Sequence, residues 1–193
     1  MKINIRTKDL VLTAIFAAIT CILSILEIPI EPVPITLGVF ATVLSGLFLK
    51  PAYAFISQLI HILLGAIGLP VFGGGTGGAG IIAGPTGGYI LATPMMSLII
   101  SLGVLYAIKH LNKKFPNTKN IDHISVIIVM SVLIASVLFC YIIGTMQFMG
   151  ITNMGIMESL ALCVIPFIPF DAGKIIIAGL LFLAVYKRIK IFD

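Results

Sequence analysis

Charge is what this sequence lacks. Of its 193 residues 10% are Asp, Glu, Lys or Arg against 60% hydrophobic, and the mean hydropathy is +1.21. A soluble domain builds its surface from charged residues, so a water-exposed fold is excluded and a bilayer is the solvent that fits. Paired cysteines are missing too. Cys21, Cys140 and Cys163 lie inside apolar runs without disulfide or metal-ligand spacing and read as small core residues. No His/Cys/carboxylate set has metal spacing, and no Ser–His or paired-carboxylate arrangement suggests an enzyme. No small-residue cleavage site follows the first apolar run, Leu10 to Leu26, which reads as a retained helix. With no soluble domain, tail or low-complexity linker, a single membrane domain over residues 1–193 is expected.

What is present is a series of apolar runs of spanning length. Crossing the hydrocarbon takes about 20 helical residues, fewer where protein surrounds the ends. The sequence predicts helix 1 over about 8–27, ending before Pro29, a short helix 2 over about 35–49, and helix 3 from Pro51 to about Gly68. Helix 4 covers about 88–109 and helix 5 about 123–147. Helix 6 covers about 172–189, after a shorter piece near 157–165 that Pro166 and Pro169 interrupt. The expected class is an all-α integral membrane fold, a six-transmembrane-helix bundle.

Basic residues orient it. Lys2, Arg6 and Lys8 precede helix 1, and Lys50 sits between helices 2 and 3. Lys109, Lys113, Lys114 and Lys119 lie between helices 4 and 5, and Lys187, Arg188 and Lys190 follow helix 6. The alternate connections, near 28–34, 70–87 and 148–171, hold no Lys or Arg. Positively charged loops stay cytoplasmic, so both termini are expected there. Eleven of the twelve basic residues then mark one face, and the net charge of +5 needs no nucleic acid to explain it.

Lys174 is the exception, three residues after Asp171 near the outer end of helix 6. An ionisable side chain at membrane depth costs about 2.5–3.5 kcal/mol and is a functional candidate by default. The i, i+3 spacing puts both on one face. Two readings stand. In one they neutralise each other and cap the helix, with Asp171 at the favourable end of the dipole. In the other they supply a pocket with one acceptor and one cation, suited to a ligand carrying N–H donors and a carboxylate.

The second unusual feature is the glycine-rich outer loop, Gly65-Ala66-Ile67-Gly68-Leu69-Pro70-Val71-Phe72 followed by Gly73 through Gly80, then Gly84-Pro85-Thr86-Gly87-Gly88-Tyr89. So much glycine lets backbone approach a ligand closely. It is no nucleotide loop, because no Gly-Lys-Ser/Thr follows. Uncharged and running into Ile81 and Ile82, it reads as a folded-in lid rather than a solvated tether. Tyr89, Tyr141, Phe72 and Phe148 are pocket or interfacial-belt aromatics. Gln58 and His61 are expected to bond neighbouring helices. Gln147 and Asn153 stand as pocket candidates, while His110 and His123 belong with the cytoplasmic loop. On helix 1, Ala14, Ala17 and Ala18 form a small-residue face that permits close helix approach, within the chain or to a partner.

Four stretches, in order, resemble the BioY family: Pro32-Val33-Pro34-Ile35-Thr36-Leu37, Gly65 to Phe72, Gly84 to Tyr89, and Pro166-Phe167-Ile168-Pro169-Phe170-Asp171 with Lys174. The family comprises biotin-specific S-components of energy-coupling factor (ECF) transporters. The resemblance implies a six-helix S-component in the cell membrane that captures biotin from outside as a ligand, with no cofactor. Its partners would be a membrane coupling subunit and two ATP-binding-cassette ATPases. It further implies that Asp171 accepts N–H bonds from the ureido ring and Lys174 pairs with a polar or carboxylate end. The Gly73–Gly80 segment would close over the ligand with Gly75, Thr76 and Gly77 in contact, Tyr89 and Phe72 would line the pocket, and Ala14 and Ala18 would face the coupling subunit. Two positions depart from the family pattern: Gly38, where Gln is common, and Phe170, where Gly is. The alternatives are an S-component for another vitamin, or a stand-alone secondary transporter. The latter usually needs intramembrane carboxylates and repeats that this sequence does not show.

Overall fold

A computed structural model describes residues 6–30, 32–114 and 123–186, the side chains of 111–114 and 186 excepted. Lys2, Glu31, Lys119, Lys187, Arg188 and Lys190, and the side chains of Lys113 and Lys114, lie outside the described residues. Four helices are long and apolar enough to cross a membrane: α1 (Thr7–Ile25), α5 (Gly87–Lys114), α6 (His123–Thr152) and α8 (Ile168–Tyr186). Two shorter apolar helices, α2 (Gly38–Phe48) and α3 (Pro51–Ala66), complete the six. Between α3 and α5 lies a short α4 (Ala79–Ala83), and α7 (Ile156–Cys163) precedes α8.

The bundle is inside-out by soluble standards. Large apolar side chains such as Ile22, Ile127, Met146 and Leu180 are more than 60% exposed, which water would penalise and lipid does not. The dry centre is built where α5 packs along α6, α2 and α3, with Leu47, Met96, Ile100, Val104 and Leu133 fully buried. Polar side chains inside it are bonded to one another. Gln58, fully buried on α3, donates to Thr20 of α1 (3.1 Å) and Ser45 of α2 (3.0 Å), and accepts from Thr42 (3.1 Å). One amide thus ties three helices where lipid offers no partner.

Proline chemistry explains two boundaries. Pro94 lies inside α5 and supplies no N–H to the Ile90 carbonyl. The Thr93 hydroxyl donates there instead (2.8 Å), so the helix continues. Pro169, expected with Pro166 to interrupt the helical piece before helix 6, lies instead inside the last span, which begins at Ile168 rather than near 172. It is the second residue of α8, in a first turn whose N–H groups have no helical acceptor, and the break falls at the preceding turn around Val164 to Phe167. At one end of the bundle, Asp9 at the start of α1 pairs with Lys50 in the α2–α3 turn (3.0 Å), placing these connections together.

The opposite end holds the irregular backbone. Two-residue strands β1 (Glu27–Ile28) and β2 (Ile35–Thr36) pair antiparallel, Glu27 opposite Thr36. The glycine-rich loop is folded in, as its composition suggested. Phe72 N–H donates to the Thr76 carbonyl (2.9 Å), Gly78 N–H to the Gly65 carbonyl (2.7 Å), and His61 Nε2 lies 3.0 Å from the Val71 carbonyl. A 3₁₀ turn, Gly73–Gly75, puts Gly74 and Gly75 at φ +62° and +73°, a conformation β-carbons disfavour.

Candidate ligand-binding site

These irregular pieces enclose a cavity of about 300 Å³ between α1, α2, α3 and α5. Hydroxyl groups give it polarity: Thr20, Ser24, Thr36, Thr42, Thr86 and Thr93 line it with Phe72, Val33, Ile81 and Tyr89. A smaller recess of about 60 Å³ shares the wall formed by Val33, Pro34, Thr36, Val39 and Tyr89, and is closed on its far side by Tyr141, Phe167, Asp171 and Lys174.

Asp171 and Lys174, 2% and 8% exposed, face each other at 2.8 Å. Asp171 lies in the first turn of α8, where the helix dipole favours a carboxylate. Its second oxygen accepts from the Tyr141 hydroxyl (2.7 Å), and Lys174 Nζ also donates to the Thr36 carbonyl (2.7 Å). The pair is internally neutralised, and it also borders the recess. The Lys174–Thr36 bond fastens α8 to the β1–β2 hairpin. A net-neutral pair presents an acceptor beside a donor, which matches a neutral group with N–H next to C=O better than it matches an anion.

Other expected residues divide. Phe72, 1% exposed, lines the cavity, its ring filling the space that a β-carbon on Gly65 would need. Tyr89 lines both spaces and bonds Thr145 (3.1 Å), with its ring over Gly144, where a β-carbon would collide with it. Phe148 is fully buried and Tyr141 is 9% exposed, so neither is a belt aromatic. Thr76 reaches the cavity, although its hydroxyl turns back to the Gly73 carbonyl (2.8 Å). Gly75 and Gly77 stay off the wall: the first shapes the 3₁₀ turn, and the second packs against the Leu69 carbonyl. Gln147 is not in the pocket either; its amide donates to the Ile82 and Gly84 carbonyls (2.7 and 2.9 Å), holding the loop to α6. Asn153, at φ +58°, lies at the end of α6 away from both spaces. Ala14 and Ala18 are exposed on α1, whereas Ala17 turns inward.

Glu27 and the hydroxyl set were not read from the sequence. Single threonines and serines in apolar helices carry no motif. Glu27 carries no motif either, and a two-residue strand leaves no alternation to show which way it points.

Comparison with known proteins agrees with this geometry. A "Probable biotin transporter BioY" of Pyrococcus horikoshii is 47% identical over 98 residues, a stretch spanning 51% of this chain and 60% of that protein. The "Biotin transporter BioY" of Rhizobium etli is 32% identical over 180 residues, 91% of each chain. A crystal structure of the S-component for biotin from an ECF-type ABC transporter superposes with a TM-score of 0.80 at 31% identity, covering 99% of this chain and 97% of that one. The six-helix frame is therefore that of an S-component, in a family of cell-membrane transporters. The BioY family model matches residues 1–191, and this chain belongs to the BioY family.

Proposed function

We propose that this protein is the membrane-embedded binding subunit of an ATP-driven ECF transporter, capturing biotin from outside and delivering it inward. The observation that carries the reading is the recess, where Asp171 and Lys174 stand side by side next to a cavity of about 300 Å³. The ureido edge of biotin offers N–H beside C=O. In the recess Asp171 accepts from the N–H and Lys174 donates to the oxygen, while the apolar ring system and tail occupy the cavity. Tyr89 and Phe72 pack against the ligand, and Gly73–Gly80, with Thr76, forms its cover. The supporting relatives carry biotin in their names over nearly full-length matches.

The protein itself is a substrate-binding subunit rather than an enzyme, and biotin is its cargo rather than a cofactor. ATP hydrolysis belongs to two ATPase partners, reached through a membrane coupling subunit that docks on the Ala14/Ala18 face. The distribution of basic residues supports an orientation with both termini in the cytoplasm and the cavity facing outside. Equilibrium binding to the purified, detergent-solubilised chain tests the reading, with riboflavin and thiamine as controls. Tight binding of biotin alone is expected; a folded preparation that ignores biotin would sink it.

A further inference from the structure

One nitrogen on the wall of the main cavity has no partner. His61 of α3 is 4% exposed and lines the cavity. Its Nε2 lies 3.0 Å from the Val71 carbonyl, which can only accept, so Nε2 carries a proton and donates it. Nδ1 is buried and, among the described residues, has no hydrogen-bond partner. A buried polar atom left in that condition is a site where a bond is missing. The ring is also held by packing, since Phe72 meets it edge-on at 5.5 Å. With Nε2 committed to the loop, Nδ1 has two forms. It is an acceptor in the neutral imidazole and an N–H donor in the imidazolium.

The recess and the cavity share Val33, Pro34, Thr36, Val39 and Tyr89, and His61 lies on the cavity wall outside that shared part. A ureido head held by Asp171 and Lys174 leaves the tail in the space that His61 borders. The cavity wall includes no Lys or Arg, and His61 is its one side chain able to carry a positive charge. The other titratable groups on that wall are Glu27 of β1 and Tyr89 of α5, while α1, α2 and α4 present hydroxyl or apolar groups to it. We propose that His61 is a specificity-determining residue for the ligand's tail. It receives a carboxylate as the imidazolium, with Nδ1–H donating to a carboxylate oxygen, and it receives an amide N–H as the neutral ring. Capture of a free acid then takes up a proton from solvent, and capture of an amide does not. The inference rests on the biotin reading and adds the tail-side chemistry to it.

Titration calorimetry of the detergent-solubilised chain with biotin and with neutral biotinamide, in buffers of different ionisation enthalpy, counts the protons. Above the ordinary histidine range, at about pH 7.5–8, biotin is expected to bind with proton uptake and biotinamide without it. The affinity for biotin falls as the pH rises, by at most about tenfold per unit, while that for biotinamide stays level. His61→Gln keeps a donor for the Val71 carbonyl and removes the titrating nitrogen. It abolishes the uptake, flattens the pH profile and weakens biotin about tenfold near neutral pH.

Binding of both ligands by the wild-type protein with no proton uptake overturns the inference and leaves the biotin reading intact. Uptake that persists in His61→Gln also overturns it, because the proton then goes elsewhere on the wall, to Glu27 first. Failure of a folded preparation to bind either ligand overturns both. Should His61→Gln not fold, His61→Asn, which also lacks a titrating nitrogen, carries the same expectations.

Discussion

Asp171 and Lys174 are asked to hold the fold and to hold the ligand, and the two demands are separable at the level of single side chains. Removing one member of a buried pair leaves an uncompensated charge and costs about 3–5 kcal/mol, whereas replacing both by neutral groups of similar size is often close to neutral. Lys174→Met is therefore expected to lower the unliganded thermal stability sharply. Asp171→Asn with Lys174→Met, which keeps an acceptor for Tyr141, is expected to restore most of it while binding of biotin stays lost. Thermal unfolding in detergent beside a binding titration reads both. Undiminished affinity in the double variant would show that the pair is only structural. Lys174 stood out in the sequence because it is the lone cation beside a connection, near 148–171, that holds no Lys or Arg. Whether it faced Asp171 or solvent needed the fold, since the Thr36 carbonyl that fixes it is 138 positions away in the chain.

At the scale of elements, legibility followed length. The long apolar runs gave α1, α5 and α6 within a few residues at most ends, because periodicity over many turns survives local exceptions. Pro169 misplaced the start of α8, since a proline reads alike whether it breaks a helix or opens one. The β1–β2 pair was not legible: two residues per strand display no alternation, and their partners come from across the loop. The glycine loop was legible as folded-in, but which of its residues meet the cavity was not, because glycines carry no side chain to pattern. Gln147 makes the loop's attachment testable. Its two bonds to the Ile82 and Gly84 carbonyls hold α4 and the Gly84–Tyr89 turn against α6. Gln147→Leu removes them, at about 0.5–1.5 kcal/mol each. Faster hydrogen exchange across residues 79–87 and faster dissociation of biotin are expected, with the rest of the exchange map unchanged. Exchange that accelerates everywhere would mean that the bundle, and not the loop, depends on this amide.

For the whole molecule the question is how a chain built around this cavity works with partners that supply energy. The cavity lies among α1, α2, α3 and α5, and α1 divides its labour around its circumference. Thr20 and Ser24 turn toward the cavity, Thr13 and Ala17 are buried, and Ala14 and Ala18 are exposed. A helix that lines the cavity on one side and presents two small residues on another is suited to close approach by a second membrane protein without disturbance of the cavity. Bulk added at Ala14 or Ala18 then blocks docking and spares capture. Ala14→Trp and Ala18→Trp are expected to bind biotin like the unmodified chain when purified alone, yet to lose ATP-dependent uptake and co-purification with the coupling subunit when produced with it. Uptake that survives both substitutions would move the docking face elsewhere on the bundle. Loss of biotin binding by the isolated variants would show instead that α1 cannot accept bulk on either side, because the two faces of one helix would then be coupled through its packing against α2 and α3.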